Sequence, residues 1–101
     1  MLYDLSQLKK LKRFGELTPE AWKGFQAFDA AALADGAIPA KYKELMAVAV
    51  AMTTQCPYCI EIQARKARTA GATEQELAET ALVAAALRAG GAVTHATHAL
   101  A

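Results

Sequence analysis

Leu45-Met46-Ala47-Val48-Ala49-Val50-Ala51-Met52 carries no charge and alternates small with large side chains, so its period alone would suit a strand. Its flanks decide otherwise. Lys41, Lys43 and Glu44 extend the segment beyond ordinary strand length and alanine fills its small positions, which predicts a helix from about Ala40 to Thr54, apolar all round and buried on several sides. The whole composition agrees. Of 101 residues, 25 are alanine and 11 leucine against only 7 valine plus isoleucine, a balance that favours helix and sets aside a strand-rich sandwich or barrel. The expectation is one all-α domain over 1–101, a compact bundle of about six helices.

Before this segment, Leu5, Leu8 and Leu11 recur beside Lys9, Lys10, Lys12 and Arg13, describing a short amphipathic helix that covers the domain body with a basic outer face. Thr18-Pro19-Glu20 supplies an N-cap, a proline at the first helical position and an acid near the positive helix end. The helix it opens carries Trp22, Phe25, Phe28 and Leu33 on one stripe, suited to core or subunit contact. Gly36 is expected to end it as a left-handed cap, and Pro39 to open the next helix. After the central segment, Pro57 starts a fourth helix with Cys56 near its cap, running through Ile60, Ile62 and Arg65 to Gly71. Thr73-Glu74-Gln75-Glu76 is a capping box, and the fifth helix it begins carries Leu77, Ala81, Leu82, Ala84, Ala85 and Leu87 toward Gly90-Gly91. A final short helix carries His95 and His98.

A formal charge of +1, from 11 basic and 10 acidic residues, gives no global field to collect nucleic acid or an anionic membrane. The longest charge-free stretch, Leu45 to Ile60, contains Thr53-Thr54-Gln55 and falls short of the roughly 18 to 20 apolar residues a membrane helix needs, so no span is expected. Asp4, Lys9, Lys10, Lys12 and Arg13 interrupt the region where a signal peptide would be apolar, which makes a reducing cytoplasm the default location. A domain of this size buries a modest core, and assembly with further copies is expected.

Cys56-Pro57-Tyr58-Cys59 demands a chemical explanation. Thiols at i and i+3 in the first turn of a helix lie on one face with Cα atoms about 5 to 6 Å apart, a separation that a disulfide bridges. The free N–H groups and partial positive charge of the helix end favour the thiolate, the form that attacks peroxides and disulfides. Two other readings stand beside this one. The cysteines suit a pair of small buried hydrophobes, or a zinc site completed by His95 and His98, although the 35-residue gap and the His spacing miss the common finger patterns. His95 alone can carry a proton near neutral pH. Glu44, twelve residues before Cys56, is either a partly buried base for a cysteine proton or an exposed partner of Lys41 or Lys43.

The run from Lys43-Glu44-Leu45 through Thr54-Gln55-Cys56-Pro57-Tyr58-Cys59-Ile60-Glu61 resembles the alkylhydroperoxidase D-like proteins of the carboxymuconolactone decarboxylase superfamily. Their pattern is a glutamate, eleven residues, Cys, two residues, Cys, three residues, then histidine, and Glu44, Cys56 and Cys59 match it in register. Asp29 through Gly36, Ala70-Gly71-Ala72-Thr73 and Gly91-Ala92-Val93-Thr94-His95 extend the likeness to about two thirds of the chain. The resemblance implies an all-α bundle assembled as trimers or hexamers, and no bound metal or organic cofactor is expected. It implies that Cys59 attacks the peroxide, that Cys56 resolves the sulfenic acid as a disulfide, and that Glu44 acts as base. The histidine position holds Gln63, which can hydrogen-bond a thiol or orient Glu44 but exchanges no proton near pH 7. The decarboxylase branch acts without this cysteine pair. The expected function is a thiol-dependent peroxidase or disulfide reductase served by a hydroperoxide and by a dithiol or protein-disulfide reductant. The alternative is a non-catalytic oligomeric redox sensor or scaffold, with Gln63 marking lost turnover.

Overall fold

The computed structural model describes residues 3–101. Asp4 accepts from the Ser6 N–H at 2.9 Å and caps a 3-10 helix over Leu5–Leu11. A three-residue period matches the leucine spacing more closely than an α-helix would. This turn runs straight into α1 (Lys12–Leu17), and Leu5 and Leu11 remain exposed, so the basic segment covers less of the body than expected.

Thr18 stands at the N-cap of α2 (Pro19–Leu33), as its sequence predicts, yet its hydroxyl donates to the Phe14 carbonyl at 2.8 Å and makes no cap bond. The corner is instead held by stacking: the Trp22 ring lies 5.4 Å from Phe14 and 5.6 Å from Phe25. Gly36 is not the left-handed stop expected of it. The chain leaves α2 through extended Ala34, whose carbonyl accepts from Lys43 Nζ at 2.7 Å, while Asp35 Oδ1 accepts from the Ala40 N–H at 2.6 Å. Polar side chains thus close a turn for which a glycine conformation is unnecessary. Pro39 precedes the next helix as its N-cap residue and is not its first helical residue.

α3 (Ala40–Thr54) has the expected bounds, and α4 (Pro57–Thr69) returns antiparallel beside it. α5 (Glu74–His95) packs on the other side of α3 and runs parallel to it, as the 2.9 Å bridge from Lys41 to Glu76 fixes at the starts of the two helices. Val48 of α3 is fully buried against Ala67 of α4 and Leu77 of α5, with Leu45, Met52, Ala64 and Ala72 around them. Small residues at 51, 67 and 84 let the three helix backbones approach closely.

α5 passes through Gly90-Gly91 and ends at His95, so the expected final helix shrinks to a 3-10 turn over Ala96–Ala99 that holds His98. Two glycines cost about 1 kcal/mol each relative to alanine, too little to stop a helix flanked by Ala89 and Ala92. Residues 74–99 are also long and apolar enough to cross a membrane by length and composition, a property the sequence reading missed because three glutamates sit at the start of α5. Arg88 falls within the apolar stretch, residues 80–99, that follows those glutamates. The protomer is elongated, 54 × 33 × 30 Å with a radius of gyration of 16.6 Å, where a compact chain of this length has about 13 Å. Much of its large apolar surface is open, including Phe28, Leu82, Leu87 and Val93 at 70% exposure or more.

Candidate active site

The cysteine pair owes its position to how α3 stops. Gln55 takes the left-handed conformation at φ 56°, its N–H donates to the Met52 carbonyl at 3.3 Å, and the Cys56 N–H donates to the Ala51 carbonyl at 3.2 Å. These are the paired bonds of a Schellman stop. The reversal leaves Cys56 extended at the N-cap of α4, with Pro57 as the first helical residue. Cys56 Sγ accepts from the Cys59 N–H at 3.2 Å, so a sulfur does what a serine or aspartate oxygen does at an ordinary cap. Cys56 and Cys59 are joined as a disulfide, with Cα atoms 5.2 Å apart. Both are half-buried.

Gln63 lies one turn beyond Cys59 on the same face of α4. The two border a cleft of about 320 Å³ whose further walls come from Asp29 and Leu33 of α2 and from Val50 and Thr54 of α3. Gln63 Oε1 is buried without a hydrogen-bond partner, and so is Glu44 Oε2 on α3. A buried acceptor left unpaired costs about 1–3 kcal/mol, which makes the two oxygens conspicuous in a fold with so small a core.

Glu44 is not the exposed partner of a neighbouring lysine. Lys41 pairs with Glu76 and Lys43 with the Ala34 carbonyl, which leaves the Glu44 carboxylate in the α3–α4 contact. It borders a separate cleft of about 360 Å³ shared with Ala40, Arg65, Lys66 and Thr69, toward the far half of α4 from the cysteines. The structure therefore brings Cys56, Cys59 and Gln63 together and sets Glu44 behind them. His95 borders neither of these two clefts. It stands exposed on the last turn of α5, seven residues and about 10 Å beyond Arg88, with its ring 5.5 Å from that of His98. Among the described residues the four ligands of a zinc site are not assembled.

Asp29 is a wall residue of the cleft to which the sequence reasoning assigns no role. The signal was present: Asp29 follows Phe25 by four residues and precedes Leu33 by four, an acid set within the apolar stripe of one helix.

The profile of the carboxymuconolactone decarboxylase family matches residues 19–101, four fifths of the chain. The chain belongs to the carboxymuconolactone decarboxylase family. Uncharacterised protein 4 of the cox locus of Paracoccus denitrificans is 49% identical over 77 residues, 76% of this chain and 69% of that protein. An uncharacterised protein of Cupriavidus necator is 36% identical over 87 residues, 86% of this chain and 77% of its own length. Among solved structures, the apo form of a carboxymuconolactone decarboxylase family protein from Legionella pneumophila superposes with a TM-score of 0.77 at 36% identity, covering 92% of this chain and 83% of that one. A Methanobacterium thermoautotrophicum protein superposes with a TM-score of 0.81 at 38% identity, covering 87% and 99%. The carboxymuconolactone decarboxylase profile begins at Pro19, the first residue of α2, so α1 and the 3-10 turn before it lie outside the matched region.

Proposed function

We propose that this protein is a thiol-dependent peroxidase or disulfide reductase that cycles Cys56 and Cys59 and works in a reducing compartment. The observation that carries this reading is the disulfide at the start of α4, set beside a cleft that Cys59 and Gln63 both border, with the Gln63 amide oxygen buried and unpartnered behind it. In the reduced enzyme, the Cys59 thiolate attacks the distal oxygen of a hydroperoxide. The O–O bond breaks, the alcohol leaves with a proton, and Cys59 becomes a sulfenic acid. The Cys59 N–H and the positive end of α4 favour a thiolate at Cys56, which attacks the Cys59 sulfur and expels hydroxide; that group leaves as water after taking a proton. An external dithiol then supplies two electrons and restores both thiols.

Gln63 holds a proton donor at the cleft, the hydroperoxide O–H or a water, through its amide. The half-buried Glu44 carboxylate, in the α3–α4 contact, accepts the proton that a cysteine thiol gives up on becoming a thiolate. Within one protomer, His95 takes no part in this path. The open apolar faces of α2 and α5 are covered by further copies of the chain, as trimers or hexamers, and Arg88 within α5 favours that cover over lipid. Light scattering that finds a monomer at micromolar concentration would overturn the assembly.

Peroxide consumption with a dithiol reductant tests the chemistry in wild type, Cys56→Ser and Cys59→Ser, followed by mass measurement of the oxidised chains. Turnover is expected in wild type alone, with one added oxygen retained in Cys56→Ser. Gln63 favours one rival, a redox sensor that oxidises once and is rescued slowly. Stoichiometric oxidation without steady turnover would establish that reading in place of the enzyme.

A further inference from the structure

The cleft beside Cys59 contains one charged group. Asp29 is half-buried, borders the cleft with Cys59, and takes part in no hydrogen bond or ion pair among the described residues. The other walls are almost entirely apolar or neutral, and no lysine or arginine lines this cleft. Arg88 borders the adjoining cleft, which meets this one at Val50. Asp29 and Cys59 border the same cleft of about 320 Å³, so a group held at the Cys59 sulfur faces the Asp29 carboxylate across a gap comparable to the screening length of roughly 8–10 Å.

We propose that Asp29 makes this cleft selective by charge, admitting neutral and cationic oxidants to Cys59 and turning away anionic ones. The proposal rests on the reading of Cys56 and Cys59 as a reactive pair, but it does not require peroxidase activity. The same discrimination acts on small disulfides, RS–SR. The Cys59 thiolate attacks one sulfur and expels RS⁻; Cys56 then loses its proton, attacks the mixed disulfide and expels the second RS⁻. The protein dithiol is oxidised by two electrons, and the disulfide is reduced to two thiols.

The test uses the reduced full chain and three disulfides of similar size: cystamine, which is cationic; bis(2-hydroxyethyl) disulfide, which is neutral; and 3,3′-dithiodipropionate, which is anionic. Second-order rates are read from protein thiol loss in wild type, Asp29→Asn and Asp29→Lys. Leaving-group differences among the reagents cancel when each rate is expressed as variant over wild type. Asp29→Asn is expected to lower the cation-to-anion rate ratio about three- to tenfold, the size of a single partly screened charge at this range, and to change the neutral rate less than twofold. Asp29→Lys should lower the ratio further, and high salt should bring wild type toward Asp29→Asn. A cation-to-anion ratio identical in all three proteins overturns the role of Asp29 while leaving the cysteine chemistry intact. Failure of wild type to react with the neutral disulfide overturns the underlying reading, and this inference with it.

Discussion

The turns that lead into α4 and α5 are built from the same parts. Before α4, Gln55 is left-handed, the Gln55 and Cys56 N–H groups close back on Met52 and Ala51, and Cys56 accepts from the N–H of the residue three positions on. Before α5, Gly71 is left-handed at φ 101°, the Gly71 and Ala72 N–H groups close on Arg68 and Ala67 at 3.0 and 2.9 Å, and Thr73 Oγ1 accepts from the Glu76 N–H at 3.1 Å. Position by position, Cys56, Cys59 and Gln63 stand where Thr73, Glu76 and Thr80 stand in the next helix. In the second turn every group has a local use: Glu76 Oε1 returns to the Thr73 N–H at 3.0 Å and Thr80 donates to the Glu76 carbonyl at 2.8 Å. In the first turn the same positions hold two sulfurs and a buried amide oxygen with no partner. One turn is complete as structure, and the other leaves groups over for chemistry.

Exchanging cap atoms should separate the two roles most widely. Serine is a good N-cap, so Cys56→Ser should keep α4 and the melting temperature nearly intact while peroxide or disulfide turnover falls at least about a hundredfold. Thr73→Ala should do the reverse, costing about 1 kcal/mol of stability with little change in turnover. Parallel melting curves and rate measurements check both. A Cys56→Ser protein that unfolds would mean that the disulfide is a structural staple, contrary to the comparison.

Gln63→His is expected to raise peroxide turnover about tenfold or more near neutral pH, because a titratable group would then stand one turn from the attacking sulfur. Glu44→Gln should remove that gain, since the imidazole would lose the carboxylate proposed to take up its proton. Reduction of the disulfide by an external dithiol should barely change. Unaltered turnover in Gln63→His would leave solvent as the proton carrier, or show that the protein is no peroxidase.

Local signals made most of these parts legible before the structure. The Thr73 capping box, Pro57 after Cys56, and Gly71 each act within a few residues of chain, and each appears where its type predicts. What was misread depends on distant partners. Gly36 looked like a stop because nothing local reveals that Lys43 and Asp35 close that turn. His95 looked available to the thiols because periodicity does not show α5 continuing through two glycines and carrying it past the end of α3. Gln55 gave no left-handed signal, since a glutamine at that position is tolerated only where the surrounding bonds impose it.

Acid should expose the second turn as the purely structural one. The Thr73 N–H and then Lys41 hold the Glu76 carboxyl below its ordinary value of 4.5. A carboxyl whose folded pKa is depressed contributes stability that is present above the unfolded value and lost as pH falls through the folded one. Thermal stability should therefore decline below about pH 4.5 through this group, and Glu76→Gln should flatten that part of the profile without altering the oxidation of Cys56 and Cys59. An unchanged profile would mean that the capping box survives protonation.

The smallest expected effect lies at the left-handed residues themselves. Gly71→Ala places a Cβ at φ 101°, so it should destabilise by about 1 kcal/mol even though the space around it is open. Gln55→Gly should act with the opposite sign. It relieves a similar conformational penalty but adds freedom to the unfolded chain, for a net gain of about 0.5 kcal/mol and a rise of a few degrees in melting temperature. The gain should come with slower closure of the Cys56–Cys59 disulfide, because a glycine at 55 holds the N-cap sulfur less firmly over the first turn of α4. Stopped-flow oxidation alongside melting measures both. If Gln55→Gly raises stability and leaves closure unchanged, the Schellman bonds to Ala51 and Met52 alone aim Cys56; if it lowers stability, the exposed Gln55 side chain contributes more than its backbone costs, and the two turns differ in more than their chemistry.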